Sequence, residues 1–177
     1  MGKRTIAKII LLFLFSIPAW SQSENHTWET YVQVSRANTN LLLDAATSGF
    51  HAGAVWKPVS PFGLVGDIGA QRGSTAGAKI DYTTIMAGPR LSSSERNIVS
   101  AFVQGLGGVY RTTGHLLPSE ETHWSYILSA GGGVDMRIID HIAVRLLQID
   151  LALPRGPAGS PVGVVTISAG VVFRFGH

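Results

Sequence analysis

The sequence predicts an all-β chain that closes into an eight-stranded antiparallel up-and-down transmembrane β-barrel. Three observations predict this fold. Proline, glycine and serine recur too often for a long helical pattern, period-2 segments of roughly ten residues recur instead, and the connections between these segments alternate in length. After Ser21 no apolar run approaches the length of a spanning helix, so a membrane form of this chain has to be a barrel.

The N-terminal segment, residues 1–21, has the three parts of a secretory signal peptide. Lys3, Arg4 and Lys8 form a basic region, residues 9–17 form an apolar core, and Ala19-Trp20-Ser21 places small residues at the cleavage site. The alternative is an uncleaved anchor, but the apolar run is shorter than the ~20 residues that a spanning helix needs. We therefore expect export, with residues 22–177 forming one barrel domain.

The charge balance gives no indication of a nucleic-acid partner. Three of the 14 basic residues precede Gln22 and none of the 11 acidic residues does, so the mature chain carries 11 of each. The basic pI of about 9.5 thus comes from the export signal. Cysteine is absent, which fits a bacterial envelope protein better than a disulfide-stabilised animal module.

Eight period-2 segments are long enough for tilted spanning strands, which take ~9–11 residues. The predicted strands are Trp28–Arg36, Gly49–Pro58, Phe62–Gln71, Lys79–Leu91, Ile98–Arg111, Trp124–Ile138, His141–Leu153 and Gly163–Gly176.

The connections between these strands alternate between longer and shorter. In order they are ANTNLLLDAATS, VSP, RGSTAGA, SSSERN, TTGHLLPSEETH, ID and PRGPAGSPV. Outer-membrane barrels have short periplasmic turns and longer outer loops, which gives this order when both termini are periplasmic. The apolar cluster Leu41-Leu42-Leu43 in the first long connection is expected to pack on the rim.

The alternating faces fit either a soluble barrel with an apolar core or a membrane barrel with an apolar exterior. The segment from Val165 to Phe175 shows the pattern well, because apolar residues alternate there with Thr166, Ser168 and Arg174. Aromatic residues near strand ends favour the membrane form, since such barrels carry aromatic girdles at both interfaces. These residues are Trp28, Trp56, Phe62, Tyr110, Trp124, Phe173 and Phe175.

Several stretches resemble a known family. GVVFRFGH resembles the closing strand of bacterial outer-membrane barrels, and MAGPRLSS, SAGGGVDMRIIDHIAVRLLQIDLAL and ISAGVVFRFG together resemble the small outer-membrane protein β-barrel domain family. A more distant similarity is to the transmembrane domain of the outer-membrane protein A family. The resemblance implies that the barrel-assembly machinery reads the C-terminal strand. It also implies that Arg145, in HIAVRLLQ, belongs to a lumenal salt-bridge network.

With the apolar face of each strand turned outward, the alternation predicts a charged lumen. The predicted network contains Glu29, Asp67, Asp135, Arg137, Arg145 and Arg174, with His51 and Lys57 also pointing inward. Eight strands leave an interior just wide enough for side chains to fill, and a nearly dry interior requires paired charges. We therefore expect a sealed lumen. Asp150 has the opposite parity to Arg145, so we place it at the outer rim unless a β-bulge intervenes.

Other motifs give little support for chemistry. The glycine runs at 105–108 and 131–133 lie within strand pattern, so we expect them to make room for large neighbours rather than to bind phosphate. The six histidines show no metal spacing, and no cofactor is expected. An outer-membrane lipid A deacylase is the enzymatic alternative. Its candidate group here would be His123, Ser125 and Glu120 or Glu121.

The sequence thus predicts a small, monomeric outer-membrane protein in a Gram-negative cell envelope. We expect a structural or surface-interaction role, no catalysis, and contact with outer-membrane lipid and lipopolysaccharide. The alternatives are the lipid-modifying enzyme and a soluble, lipocalin-like ligand-binding barrel, which would hold an apolar ligand inside.

Overall fold

The computed structural model describes residues 28–39, 45–75, 78–93, 97–116, 119–154 and 163–175. These residues form eight strands, which are β1 (Trp28–Thr39), β2 (Ala45–Val59), β3 (Phe62–Thr75), β4 (Ala78–Ser92), β5 (Val99–Leu116), β6 (Ser119–Ile139), β7 (Ile142–Pro154) and β8 (Val164–Phe175). All eight predicted strands are confirmed. The described residues contain no helix of the length and apolar character that a membrane crossing requires.

The strands form one closed barrel in sequence order. Every strand pairs antiparallel with its neighbours along the chain, and β1 closes the barrel by pairing with β8 as well as β2. Trp28 lies opposite Trp56 on one side and Phe175 on the other, so the N-terminal end of β1 and the C-terminal end of β8 share one rim. We call this rim the terminal end and the opposite rim the loop end.

The predicted alternation of connection lengths is only partly present, because six residues separate β4 from β5 at the terminal end, whereas only two separate β3 from β4 at the loop end, where most of RGSTAGA is strand. Ser60–Pro61 and Asp140–His141 form tight turns at the terminal end. At the loop end, the predicted long connection TTGHLLPSEETH is mostly strand, because β5 continues to Leu116 and β6 begins at Ser119. The expectation of a long irregular loop there was wrong, since the backbone pairing of the two strands continues into it. Leu41-Leu42-Leu43 lie outside the described residues.

The barrel is apolar outside and polar inside. Large apolar side chains such as Val34, Ile68 and Leu128 are about 60–70% exposed, at 70%, 59% and 62%. By contrast, Arg90, Arg145 and Arg174 are only 1–2% exposed. A smaller set of buried apolar side chains, around Tyr31 and Val55, fills the interior between the charged groups. A soluble lipocalin-like barrel has the opposite arrangement, so this structure excludes that alternative.

Aromatic side chains lie on the outward face near the terminal end. Trp28 and Trp56 stack there with ring centroids 6.3 Å apart. Phe62, Phe173 and Phe175 are also exposed. At the loop end of β6, Trp124 and Tyr126 are exposed. Tyr110 is different from the prediction, because its side chain packs against the buried apolar cluster inside the barrel; its even position on β5 gives it the inward phase of Leu106.

A β-bulge interrupts the alternation of β7. Arg145 pairs with Asp135 while Leu147 pairs with Val134, so Leu146 is an extra residue in the strand. The neighbouring pairing with β8 shifts at the same place. Leu146 and Leu147 are consecutively exposed, and Arg145 and Gln148 on either side are both buried. The bulge therefore brings the residues after it back onto the inward face.

Candidate functional site

The charged side chains inside the barrel form a connected network, which we call the lumenal network. Its first part lies near the terminal end, where Glu29 on β1 faces Arg174 on β8 in direct register. Oε1 of Glu29 accepts a hydrogen bond from Nε of Arg174 at 2.9 Å and lies 2.9 Å from Nζ of Lys57. Arg174 also donates from Nη2 to Oγ of Ser100 at 3.3 Å. One buried carboxylate thus pairs with two cations.

Asp135 on β6 is the centre of the second part. Its carboxylate accepts a bidentate pair of hydrogen bonds from Arg145, with Nε to Oδ1 at 2.8 Å and Nη2 to Oδ2 at 3.2 Å. Nη2 of Arg90 lies 3.6 Å from Oδ2 of the same carboxylate. The guanidinium groups of Arg90 and Arg145 lie 3.5 Å and 4.4 Å from the ring centroid of Phe102. Cation–π contact on this ring adds to the stabilisation of both charges.

Asp150 belongs to the interior and not to the rim. Nη1 of Arg145 donates to Oε1 of Gln148 at 2.8 Å, and Nε2 of Gln148 donates to Oδ2 of Asp150 at 2.6 Å. Gln104 donates to the other Asp150 oxygen at 3.3 Å. The placement of Asp150 at the rim was therefore wrong. The bulge at Leu146 restores its inward phase, which is the exception that the parity argument allowed.

A chain of hydrogen bonds extends the network toward the loop end. Tyr31 donates to Oδ2 of Asp67 at 2.6 Å, and Nδ1 of His51 lies 2.9 Å from Oδ1 of Asp67. Nε2 of His51 lies 3.1 Å from Nε2 of Gln71. The other end of this amide, Oε1 of Gln71, accepts a hydrogen bond from the Thr47 hydroxyl at 2.9 Å. Asp67 is 4% exposed, so these two partners take the place of water around its carboxylate.

The charges in this network balance. Among the described residues, four cations (Lys57, Arg90, Arg145, Arg174) share the interior with four carboxylates (Glu29, Asp67, Asp135, Asp150). Uncompensated charge in a low-dielectric interior is strongly destabilising, so near-neutrality is what a closed lumen requires. The cavity beside Glu29, Arg90 and Ser100 measures about 10 Å³. This is about the volume for one water molecule and too small for an organic ligand.

Five of the six residues that the sequence predicts for the network lie together in the interior, and Arg137 does not. Its side chain is 33% exposed, and Nη1 lies 4.0 Å from Oδ1 of Asp140 in the β6–β7 turn. Arg137 has the inward phase of Asp135 but lies two residues nearer the terminal rim, where water is available. Sequence reasoning missed Arg90. Met86 points inward on β4, and Arg90 lies four residues further along, so the alternation of this strand places Arg90 inward as well.

Gly133, in the predicted run 131–133, and Gly69, outside both predicted runs, leave room for two of these side chains. In the predicted run 105–108, by contrast, a Cβ on Gly105 would meet nothing within 4 Å. A Cβ on Gly133 would lie 2.8 Å from Cζ of Phe102, and one on Gly69 would lie 2.5 Å from Cε1 of His51. The ring on which two arginines rest therefore occupies the volume that Gly133 leaves free.

The described residues give little support for a metal site or for a catalytic group. No three His, Asp or Glu side chains in the described ranges lie close enough to hold a metal ion. Ser125 is half-buried on β6. The side chains of His115, Glu120, Glu121 and His123 lie outside what the structure describes, so the candidate deacylase group stays a prediction.

Comparison with known proteins shows the fold. No protein-family model matches the chain, and no curated protein matches it. Among solved structures, neisserial surface protein A (NspA) is similar with a TM-score of 0.68 and 14% identity, covering 87% of this chain and 100% of that one. Ail of Yersinia pestis has a TM-score of 0.56 and 16% identity, covering 84% and 96%. The N-terminal barrel of Pseudomonas aeruginosa OprF has a TM-score of 0.56 and 11% identity, covering 86% and 100%.

Three findings define the class of the molecule. The barrel is apolar outside and polar inside, β1 pairs with β8 to close it, and it is similar to these solved structures. It has the fold of a small eight-stranded transmembrane β-barrel of the bacterial outer-membrane type.

Proposed function

We propose that this chain is an exported, monomeric integral protein of the bacterial outer membrane. In this proposal the barrel is a sealed, non-catalytic scaffold that holds the loop end at the cell surface for interaction. The observation that carries it is the combination of an apolar exterior with a buried, charge-balanced interior. Such an exterior is stable only in lipid, and such an interior is stable only when its ion pairs stay closed.

The spacing of the charged pairs along the axis supports a sealed lumen. The Glu29 cluster occupies the interior near the terminal end, the Asp135 cluster occupies the middle, and the Asp67 chain continues toward the loop end. An ion crossing the barrel would have to separate several charge-assisted hydrogen bonds in succession, each of which is worth more than a neutral one. We therefore expect no steady conductance from the purified protein in planar bilayers. Steady large currents would overturn this part of the proposal.

Location and assembly are tested in cells. We expect the protein in the outer-membrane fraction, migrating faster on a denaturing gel before heating than after it. Phe173→Ala/Phe175→Ala, in the strand proposed to engage the barrel-assembly machinery, should lower the folded fraction several-fold. Tyr126→Ala removes an even more exposed aromatic, from β6, and serves as the control, which should assemble normally. Recovery of the unmodified protein in the soluble periplasmic fraction would contradict the proposal.

The absence of catalysis is proposed against the deacylase alternative. A lipid A deacylation assay on the purified barrel should show no product, and Ser125→Ala should give the same result. Activity that Ser125→Ala abolishes would replace the scaffold role with an enzymatic one.

A further inference from the structure

Arg90 lies inside the barrel without a full set of hydrogen-bond partners. The residue is 1% exposed, and its Nη2 lies 3.6 Å from Oδ2 of Asp135, which is too far for a hydrogen bond. Nε and Nη1 carry three of the five N–H donors of the guanidinium, and neither atom has a hydrogen-bond partner among the described residues. Buried donors of this kind point to a bound water molecule or ion, because nearly all buried polar groups in folded proteins are satisfied.

A small cavity lies beside this guanidinium. Its volume is about 10 Å³, which is room for one water molecule or for a monatomic ion of comparable size. Three cations line it, namely Lys57, Arg90 and Arg174, together with the carboxylates of Glu29 and Asp135. All five residues are at most 7% exposed. A ligand in this cavity would therefore be held by buried protein groups and not by bulk water.

The charges around the cavity are not balanced locally. Each of the four cations of the lumenal network pairs with Glu29 or Asp135. The two remaining carboxylates accept hydrogen bonds from uncharged side chains, Asp67 from Tyr31 and Asp150 from Gln148. Four cations thus share two carboxylates in the part of the lumen that holds the cavity, which is an excess of two positive charges. One monovalent anion would reduce this excess to one, and uncompensated charge in such an interior is strongly destabilising.

A water molecule is the alternative occupant. Oε2 of Glu29 is also buried without a hydrogen-bond partner among the described residues, and water could donate to this oxygen while accepting from Arg90. An anion can only accept, and it loses its hydration when it enters. The local excess of positive charge nevertheless favours the anion, because a guanidinium in a low-dielectric interior attracts an anion more strongly than it attracts neutral water.

We propose that this cavity, which we call the Arg90 cavity, binds one monatomic anion of the halide class, such as chloride. The ring of Phe102 covers one face of the guanidinium, 3.5 Å from its centre, so the ion would approach the edge, where the N–H groups point. Sulfate, phosphate and carboxylates contain several heavy atoms and would not fit in about 10 Å³. Ser92, half-buried at the terminal end of β4, also lines the cavity, so the ion would enter from that end without crossing the lumen.

This ion site goes beyond the scaffold role, and it does not depend on which membrane holds the barrel. Its first test is the chloride dependence of stability. The purified barrel is unfolded with urea in lipid vesicles, while sodium chloride replaces sodium gluconate at constant ionic strength. Gluconate is a monovalent anion that is too large for the cavity. An ion that binds the folded barrel at one site raises the folding equilibrium constant by about tenfold for each tenfold rise in concentration above its Kd. We therefore expect the equilibrium constant to rise with chloride toward this one-ion limit.

Two variants assign the effect to the cavity. Arg90→Met should abolish the chloride dependence, because it removes the donors while keeping most of the apolar stem. Arg137→Met is the matched control, since it removes one cation near the same end of the barrel from a side chain that is 33% exposed and pairs with Asp140. This control should keep the chloride dependence of the unmodified barrel. Heat-modifiable migration establishes that each variant is folded, and equal chloride dependence of the two folded variants would overturn the proposal.

Bromide locates the ion in the unmodified barrel, so this measurement stands even if Arg90→Met does not fold. Crystals grown in sodium bromide should show one anomalous-scattering peak in the Arg90 cavity, in contact with the guanidinium. Density at that place without an anomalous signal would identify a water molecule and would overturn the proposal. A bromide peak without any chloride dependence in solution would mean binding at crystal concentration only, and would overturn it as well.

Discussion

Asp135 and Arg145, opposite each other on β6 and β7, form a bidentate ion pair in which both side chains are almost fully buried. This pair joins the terminal-end and loop-end parts of the lumenal network. Arg90 reaches its carboxylate from β4, and Gln148 reaches its guanidinium from beyond the bulge.

Breaking this pair should destabilise the barrel strongly. Asp135→Asn keeps the shape of the side chain but leaves Arg145 and Arg90 without their anion, and we expect the free energy of unfolding to fall by about 3 kcal/mol. Urea titration in lipid vesicles, followed by tryptophan fluorescence, measures it. The exposed pair between Arg72 and Asp81 is the control, since Asp81→Asn should cost less than about 1 kcal/mol. Equal losses in the two variants would show that the interior is well hydrated.

A charge on the middle of the exterior should be tolerated poorly. Ile68 is 59% exposed and lies between Ala52 and Ile85 on the neighbouring strands. Ile68→Arg should lower the free energy of unfolding in lipid by about 2–4 kcal/mol, and Ala70→Arg, one outward position nearer the loop end, should cost less. The same vesicle titration tests this order. A neutral effect at both positions would mean that this face meets water.

Removing the bulge should be tolerated better than removing an ordinary residue of the same strand. Without Leu146, Arg145, Gln148 and Asp150 keep their inward phase, so we expect a folded, heat-modifiable barrel. Deletion of Ile149 should prevent folding, because it turns Asp150 toward lipid. Failure of the first deletion together with success of the second would contradict the assigned register.

The absence of a side chain at Gly69 should be necessary for the His51 ring to occupy its place in the lumen. Gly69→Ala forces the new methyl group into His51 and Thr84, and overpacking of this kind costs about 1–3 kcal/mol. His51→Ala in the same chain should recover part of that loss. Gly66→Ala on the lipid-facing side of the same strand is the control, because nothing lies within 4 Å of its added Cβ. Its unfolding free energy should be unchanged or slightly higher.

The sequence predicted the strands and most side-chain orientations because alternation determines both. The outward set from Val165 to Phe175 and the inward set Thr166, Ser168 and Arg174 are as expected. Alternation carries no information about an inserted residue, which is why Asp150 was placed wrongly. The two consecutive leucines at 146–147 are the signal for the bulge, but neighbouring strands are needed to show that both lie outside.

The sequence predicted which residues lie inside the barrel better than it predicted which of those residues contact one another. Asp135 was expected inside, but its contact with Arg90 depends on two strands that are not neighbours in the barrel. Parity along one strand determines which way a side chain points, whereas contact across the lumen depends on strand tilt and register. The length of the β5–β6 hairpin was underestimated for a similar reason, because glycine, proline and acidic residues resemble a loop until the backbone pairing is known.

The contact between Glu29 and Arg174 joins positions 145 residues apart and lies where β1 meets β8. Consequently the cylinder cannot be sealed while the ribosome is still synthesising the C-terminal part of the chain. Until β8 has been synthesised, the backbone hydrogen-bonding edge of β1 that pairs with β8 has no partner, and its apolar side chains remain exposed. Such distant pairing makes for slow maturation, so this polypeptide depends on being kept unaggregated while it awaits its final strand.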